Sequence, residues 1–494
     1  MNKYFLIALF SCLALTVNGQ KIVKQIKASV TSRGMEAKLR FLASDELRGR
    51  DVGKPGLDIA ARYIAEHFRA NGLQSPDGVK DYYQAVPFVN SVPPSTLTLK
   101  QGANVAVAKK DLVFLAGENG DYQGQAVFLN YGLEADYSGV DVQGKVVVVL
   151  PGDEEGANPR RYRRLSSKKR QLAAEAGAIG VVELYKSQQT PWRLMMNFLS
   201  RPGMRLDEGA TAGNDSVFLL WLQDIDGSWE NRFRSQSEPV SIQIAGGADK
   251  SVNSQNVIGW IEGKHSDRKN EYLVMTAHYD HVGVTYRGAD QDSIFNGARD
   301  NAIGVATLLE TASLFAQNRP DYSVVFIAFT GEEKGLLGSS WYVEHPVFPL
   351  EQTFFNFNTD GGGYNDTSIA TVIGYERTSV KSKLDQSVKP FGLQVIGDPV
   401  PEQGLFDRSD NVNFAVKGIP ALTFSCGIRS FDEEIMKYYH QAADEVSSLD
   451  MNYVEQYARS FVYAAYLIAN GKEKPFWNSG DKYEAAGKAL YGME

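Results

Sequence analysis

Five short segments in the second half of the chain each place a metal-binding or proton-carrying side chain where a strand should end. They are His278-Tyr279-Asp280, Arg299-Asp300-Asn301, Gly331-Glu332-Glu333, Asn358-Thr359-Asp360 and Tyr439-His440. Apolar runs at 272–277, 324–330, 353–358 and 420–425 read as strands, and 302–317, 335–343, 412–416 and 453–470 read as helices. Such alternation marks an α/β sheet with helices packed on its faces. In open sheets of this kind ligands bind in the crevice beyond the carboxyl ends of the strands, which is where these side chains fall.

Together the segments offer two histidines, three carboxylates able to ligate and one to spare, enough for a two-metal hydrolytic site. The chain holds only 6 histidines, and His278, His281 and His440 lie in or beside this set. A histidine that ligates through one ring nitrogen usually donates its other N–H to a carboxylate, and Asp280 is the candidate for that role. A turn-capping aspartate is the alternative. Asp300 alone would read as the N-cap of the following helix. Beside the other segments it reads as a carboxylate bridging two ions, which in such sites stand ~3.5–4 Å apart. Glu332 and Glu333 would repel each other if buried uncompensated, so a cation is expected near them. One would be a ligand and its neighbour a general base. Asp360 precedes Gly361-Gly362-Gly363, where backbone can approach closely. Asp300, Glu333 and Asp360 would offset three of the four charges of two Zn²⁺, leaving room for one hydroxide.

A length of 494 residues suggests more than one domain, or one domain carrying an insertion. The net charge of −8 argues against a nucleic-acid binder. The Arg- and Lys-rich run from Arg160 to Arg170 is a local exception. It reads as a solvated helix face beside Asp153, Glu154 and Glu155.

Lys3, the apolar run 4–17 and the exit Asn18-Gly19-Gln20 read as an export signal over 1–19, which implies a periplasmic or extracellular protein. Acylation of Cys12, giving a lipoprotein, is the alternative. The apolar run is shorter than the ~20 residues that span a bilayer, and no later stretch qualifies. Once the signal is removed only Cys426 remains, so no intrachain disulfide is expected.

Residues 35–73 carry a helical pattern, with Ile59, Ala60, Tyr63, Ile64, His67 and Phe68 on one face. His67 is therefore a core or boundary histidine. The loop from Leu47-Arg48-Gly49-Arg50 to Gly53-Lys54-Pro55-Gly56 lacks phosphate-loop spacing. Between 112 and 245 the texture changes to short β-rich runs, an alanine-rich helix at 171–177 and a buried strand at 179–184. This reads as a smaller α/β unit inserted into the main domain. The expected division is 20–111 with 246–472 as the main domain, 112–245 as the insertion, and 473–494 as a tail without chemical signal.

The segments resemble the exported di-zinc aminopeptidases of metallopeptidase clan MH, the superfamily that also holds glutamate carboxypeptidases and glutaminyl cyclases. The pattern is His278-Tyr279-Asp280, Asp300-Asn301, Thr330-Gly331-Glu332-Glu333, Asp360 and Tyr439-His440, and it extends through Lys334-Gly335-Leu336-Leu337-Gly338-Ser339. The insertion resembles a protease-associated domain, most clearly at 137–145 and 174–181. The resemblance implies a mixed, largely parallel sheet flanked by helices. It implies two Zn²⁺, one held by His278, Asp300 and Asp360 and the other by Asp300, Glu333 and His440. Glu332 would be the general base acting on a metal-bridging water, and the Asp300-Asn301 peptide would often be cis. The implied activity is removal of N-terminal residues from peptides with a free N-terminus.

One departure stands out. Many members read Ser-Asp-His where this chain reads Ser409-Asp410-Asn411, and Phe406 stands where some carry a tyrosine that helps the oxyanion. That puts the helper and the shape of the specificity pocket in question. The rival readings are glutaminyl cyclisation, carboxypeptidase or dipeptidase action, and a non-catalytic peptide-binding protein. The first predicts an incomplete metal set and the last a loss of ligands, whereas all five ligands and the base are present.

Overall fold

The computed structural model describes residues 19–154, 159–187, 190–207, 216–235, 238–286 and 291–493. Residues 1–18 of the expected export signal at 1–19, Cys12 among them, lie outside the described residues, as do the side chains of Arg160, Arg161, Arg163 and Arg164. The chain forms two units, Met1–Val86 with Asn253–Glu494, and Pro87–Val252.

In the first unit Tyr272–His278 runs parallel to Ser323–Phe329 on one side and to Thr353–Thr359 on the other. Ala421–Ser425 continues the sheet in parallel, Ile369–Ile373 follows antiparallel, and Gln394–Ile396 lies beside it. On the opposite side Val257 to Ile261 pair antiparallel with Ser323–Phe329. The sheet is therefore mixed and mostly parallel. Its four site-bearing strands begin and end within one residue of their expected bounds.

Every residue of Ser323–Phe329 and Thr353–Thr359 is buried, as strands covered on both faces require. Val325, Ile327 and Phe329 pack with Tyr342, Phe414 and Trp477. Phe326 points the other way, its ring centroid 6.2 Å from those of Phe68 and Phe315, and Phe357 stacks on Phe461 at 4.4 Å. Leu337–Glu344 and Asn411–Val416 thus cover one face, while Pro55–Ala70, Ile303–Gln317 and Met451–Ala469 cover the other. No helix among the described residues is long and apolar enough to cross a membrane.

The residues after 472, expected as a tail without chemical signal, are packed into this unit. Trp477 Nε1 donates to Gly418 O at 2.9 Å, and Tyr491 Oη donates to Thr353 O at 2.6 Å. Arg377 grips Asp481 through two N–H groups at 2.7 and 2.9 Å and lies 3.8 Å above the Phe406 ring. The tail carries no reactive group, but its aromatic residues fill the core.

In the second unit Val146–Val149, Gly180–Tyr185 and Phe218–Gln223 run parallel, with Leu112–Ala116 antiparallel at one edge. A separate sheet joins Thr96–Gln101, Asn104–Val107, Gly120–Gly124 and Val240–Ala245. These pairings carry the unit back past residue 112, to Pro87. Its core includes Leu97, Leu99, Val148, Val182, Leu220 and Ile242. Lys169, read from sequence as part of a solvated run, is fully buried. Its ammonium lies 2.8 Å from Glu183 Oε1 and 2.7 Å from Leu150 O, the partners that a buried charge needs.

Candidate metal centre

His278 closes the central strand. Its Nε2 lies 3.3 Å from Asp300 Oδ1 and 3.5 Å from Asp360 Oδ1. The other ring nitrogen, Nδ1, lies 3.2 Å from the main-chain oxygen of Asp280, whereas the Asp280 carboxylate is 3.8 Å away. The main-chain oxygen of Asp280 is thus the nearer partner of the ring, with the carboxylate beyond it. The Asp280 carboxylate instead accepts the backbone N–H of Glu332 at 3.1 Å and of Glu333 at 3.2 Å. Those two bonds fix the turn from which both glutamates project.

Asp300 sits in an irregular turn, Ala298–Ala302, where Asp300 and Asn301 leave helical geometry and the peptide between them is cis. The Asp444 carboxylate anchors that turn by accepting Arg299 N at 2.9 Å and Asp300 N at 3.2 Å. Asn301 ties it to the next loop, its Oδ1 accepting Gly361 N at 2.9 Å. Asp300 Oδ2 then faces His440 Nε2 at 3.2 Å, and that nitrogen also lies 3.1 Å from Glu333 Oε2. Asp360 is held from behind: Ser409 Oγ donates to its Oδ2 at 2.7 Å and itself accepts from Asn358 Nδ2 at 2.9 Å.

All the sequence-expected residues meet here. Ligand-capable atoms of His278, Glu332 and Asp360 lie within 4.8 Å of one another, as do those of His281, Asp300 and Glu333. Imidazole and carboxylate together are a donor set suited to zinc. His281 was given no role by the sequence beyond lying beside this set. It is completely buried, with Nδ1 2.8 Å from Glu333 Oε1. Its only signal in the sequence was its place directly after Asp280. Asp444 and Ser409, which hold Asp300 and Asp360 in place, left no signal that distinguishes them from loop residues. His67 lies elsewhere, edge-on to Tyr63 at 4.5 Å.

Charge is concentrated in the cluster. Burial raises the Glu332 carboxyl well above its ordinary range, Asp360 and Glu333 add to the rise, and His278 opposes it. Burial opposes ionisation of Asp300 too, yet the rings of His278 and His440 hold its carboxyl well below the usual value. Glu333 is lowered to about 2, against burial and Asp300, by His281 and His440. Burial works against His440, but Asp300 and Glu333 raise it to about 10. His278 is likewise raised well above 6.5, against burial, by Glu332 and Asp360.

A cavity of about 450 Å³ opens on the cluster, lined by Asp300, Glu332, Glu333, Asp360 and His440 and by Ile373, Leu405, Arg408, Ile428, Phe431 and Tyr439. Phe406 and Asn411 do not line it, which corrects the expectation that they shape it. Phe406 is packed under Arg377 and against Trp477. Asn411 donates to Phe406 O at 3.1 Å and accepts from Thr423 Oγ1 at 2.9 Å. Leu405 and Arg408, on either side of Phe406, face the cavity instead.

Residues 256–465 match the sequence profile of peptidase family M28. Aminopeptidase YwaD of Bacillus subtilis is 25% identical over 346 residues, 69% of this chain, and the chain spans 66% of that protein's length. The probable lipoprotein aminopeptidase LpqL of Mycobacterium tuberculosis is 23% identical over 478 residues, covering 88% of this chain and 83% of its own. Among solved structures, an aminopeptidase from Aneurinibacillus sp. strain AM-1 superposes with a TM-score of 0.54 at 23% identity, over 92% of this chain and 97% of that one. The likeness in structure is one of fold.

Proposed function

We propose that the chain is a peptidase of family M28, whose profile residues 256–465 match, and within it a di-zinc exopeptidase, an aminopeptidase acting on peptides with a free N-terminus. The observation that carries the reading is the posture of Asp300, whose two carboxylate oxygens face two histidines, His278 at 3.3 Å and His440 at 3.2 Å. His278, Asp300 and Asp360 would hold one ion, and Asp300, Glu333 and His440 the other. Zinc bound there would polarise the scissile carbonyl and acidify the attacking water.

The remaining work falls to the protein. Glu332 accepts a proton from the attacking water at its carboxylate and returns it to the departing amine nitrogen. Asp280 keeps that carboxylate aimed by holding the Glu332 N–H at 3.1 Å. The second unit, Pro87–Val252, fits an inserted protease-associated domain, with a core of its own. Export by a signal at 1–19 belongs to the same proposal.

The test compares free and N-blocked peptides with the zinc-loaded protein, before and after chelation. The reading predicts cleavage of the free peptides only, lost with the metal. Equal cleavage of both would exclude an aminopeptidase.

A further inference from the structure

Glu333 divides its two oxygens between two histidines. Oε2 faces His440 Nε2 at 3.1 Å, and Oε1 lies 2.8 Å from His281 Nδ1. A carboxylate accepts, so His281 Nδ1 is the donor. Its other nitrogen, Nε2, is buried and has no hydrogen-bond partner among the described residues.

The ring has little freedom to leave this contact. Its backbone N–H donates to Arg50 O at 3.2 Å. Arg50 in turn is wholly buried and donates to the main-chain oxygens of Tyr279 at 2.8 Å, Asn296 at 2.6 Å and Gly297 at 3.0 Å. Gly297 adopts φ +58, and a Cβ there would stand 2.7 Å from the His281 ring. Backbone at Gly297 therefore packs directly against the imidazole. The glycine-rich loop around Arg50, which suited no phosphate, thereby acquires a use: it delivers a guanidinium that staples the loops bearing His281 and Asp300.

We propose that His281 is a positioning residue which, by holding Oε1 of Glu333, leaves Oε2 as the single oxygen Glu333 offers to a metal ion. The proposal rests on Glu333 being a ligand. Hydrogen-bonded partners of ligating groups typically contribute about 10- to 100-fold in metal affinity.

Asparagine and glutamine distinguish the two ring nitrogens, because the Asn amide nitrogen falls near the place of Nδ1 and the Gln amide nitrogen near that of Nε2. The experiment titrates metal-free wild type, H281N and H281Q with Zn²⁺ against a chromophoric chelator, with thermal melts of the metal-free proteins alongside. H281N should keep the affinity of the Glu333 site to within about threefold, while H281Q should lose about 10- to 100-fold there and keep the other site and its melting temperature. Equal affinity at that site in H281N and H281Q would overturn the proposal. A wild type that takes up only one ion would instead remove the reading on which it rests.

Discussion

Asp280 accepts the backbone N–H of Glu332 at 3.1 Å while its main-chain oxygen lies on His278, so one residue bears on both the histidine and the proposed base. Asp280→Ala removes the acceptor for Glu332 and Glu333 while leaving its main-chain oxygen on His278. We expect kcat to fall about 10- to 100-fold with zinc content kept, measured by steady-state kinetics beside elemental analysis. Loss of zinc in proportion to activity would mean that Asp280 serves the ions rather than the base.

Glu332→Gln keeps the shape of the side chain and removes its ability to take a proton. Turnover should drop about 10²- to 10⁴-fold, again with zinc retained. Wild-type rates would remove Glu332 from its role.

Metal uptake should release protons. Without zinc, His440 is raised to about 10, against burial, by Asp300 and Glu333, and His278 is raised well above 6.5 by Glu332 and Asp360. At pH 7, below the value for His440, that ring carries a proton that a ligated imidazole cannot keep, and the upward shift of His278 acts in the same direction. Zinc binding at pH 7 should therefore release roughly one to two protons, and affinity should fall as pH is lowered. Calorimetry in buffers of different ionisation enthalpy reads the number, and none released would contradict the ligand set.

Trp477 fixes the last segment to the core through its hydrogen bond to Gly418. Trp477→Ala should cost about 3–5 kcal/mol of stability, read by urea denaturation, with kcat of the folded protein unchanged. A smaller cost would mean that the segment is loosely held.

The strands, and the side chains of His278, Glu332, Glu333 and Asp360 just beyond them, were legible because each signal is local: an apolar run, then a reactive side chain at its end. What escaped depends on contacts between distant residues. Nothing near Asp444 announces that it holds Arg299 and Asp300, and nothing near Arg50 announces that it binds carbonyls more than two hundred residues away. Phe406 misled for the same reason. Its neighbour Leu405 faces the cavity, but Phe406 itself turns inward because Trp477, Tyr483 and Arg377 wait there. A tail of aromatic residues has no helical or strand period that reveals its partner.

Asp300 is proposed to be shared by two zinc ions. Zinc stoichiometry of wild type and Asp300→Ala, measured by mass spectrometry after dialysis against a fixed free-zinc buffer, tests it most directly. Two ions in the wild type with both sites depleted in the variant is the predicted result; a variant that still holds both would contradict it.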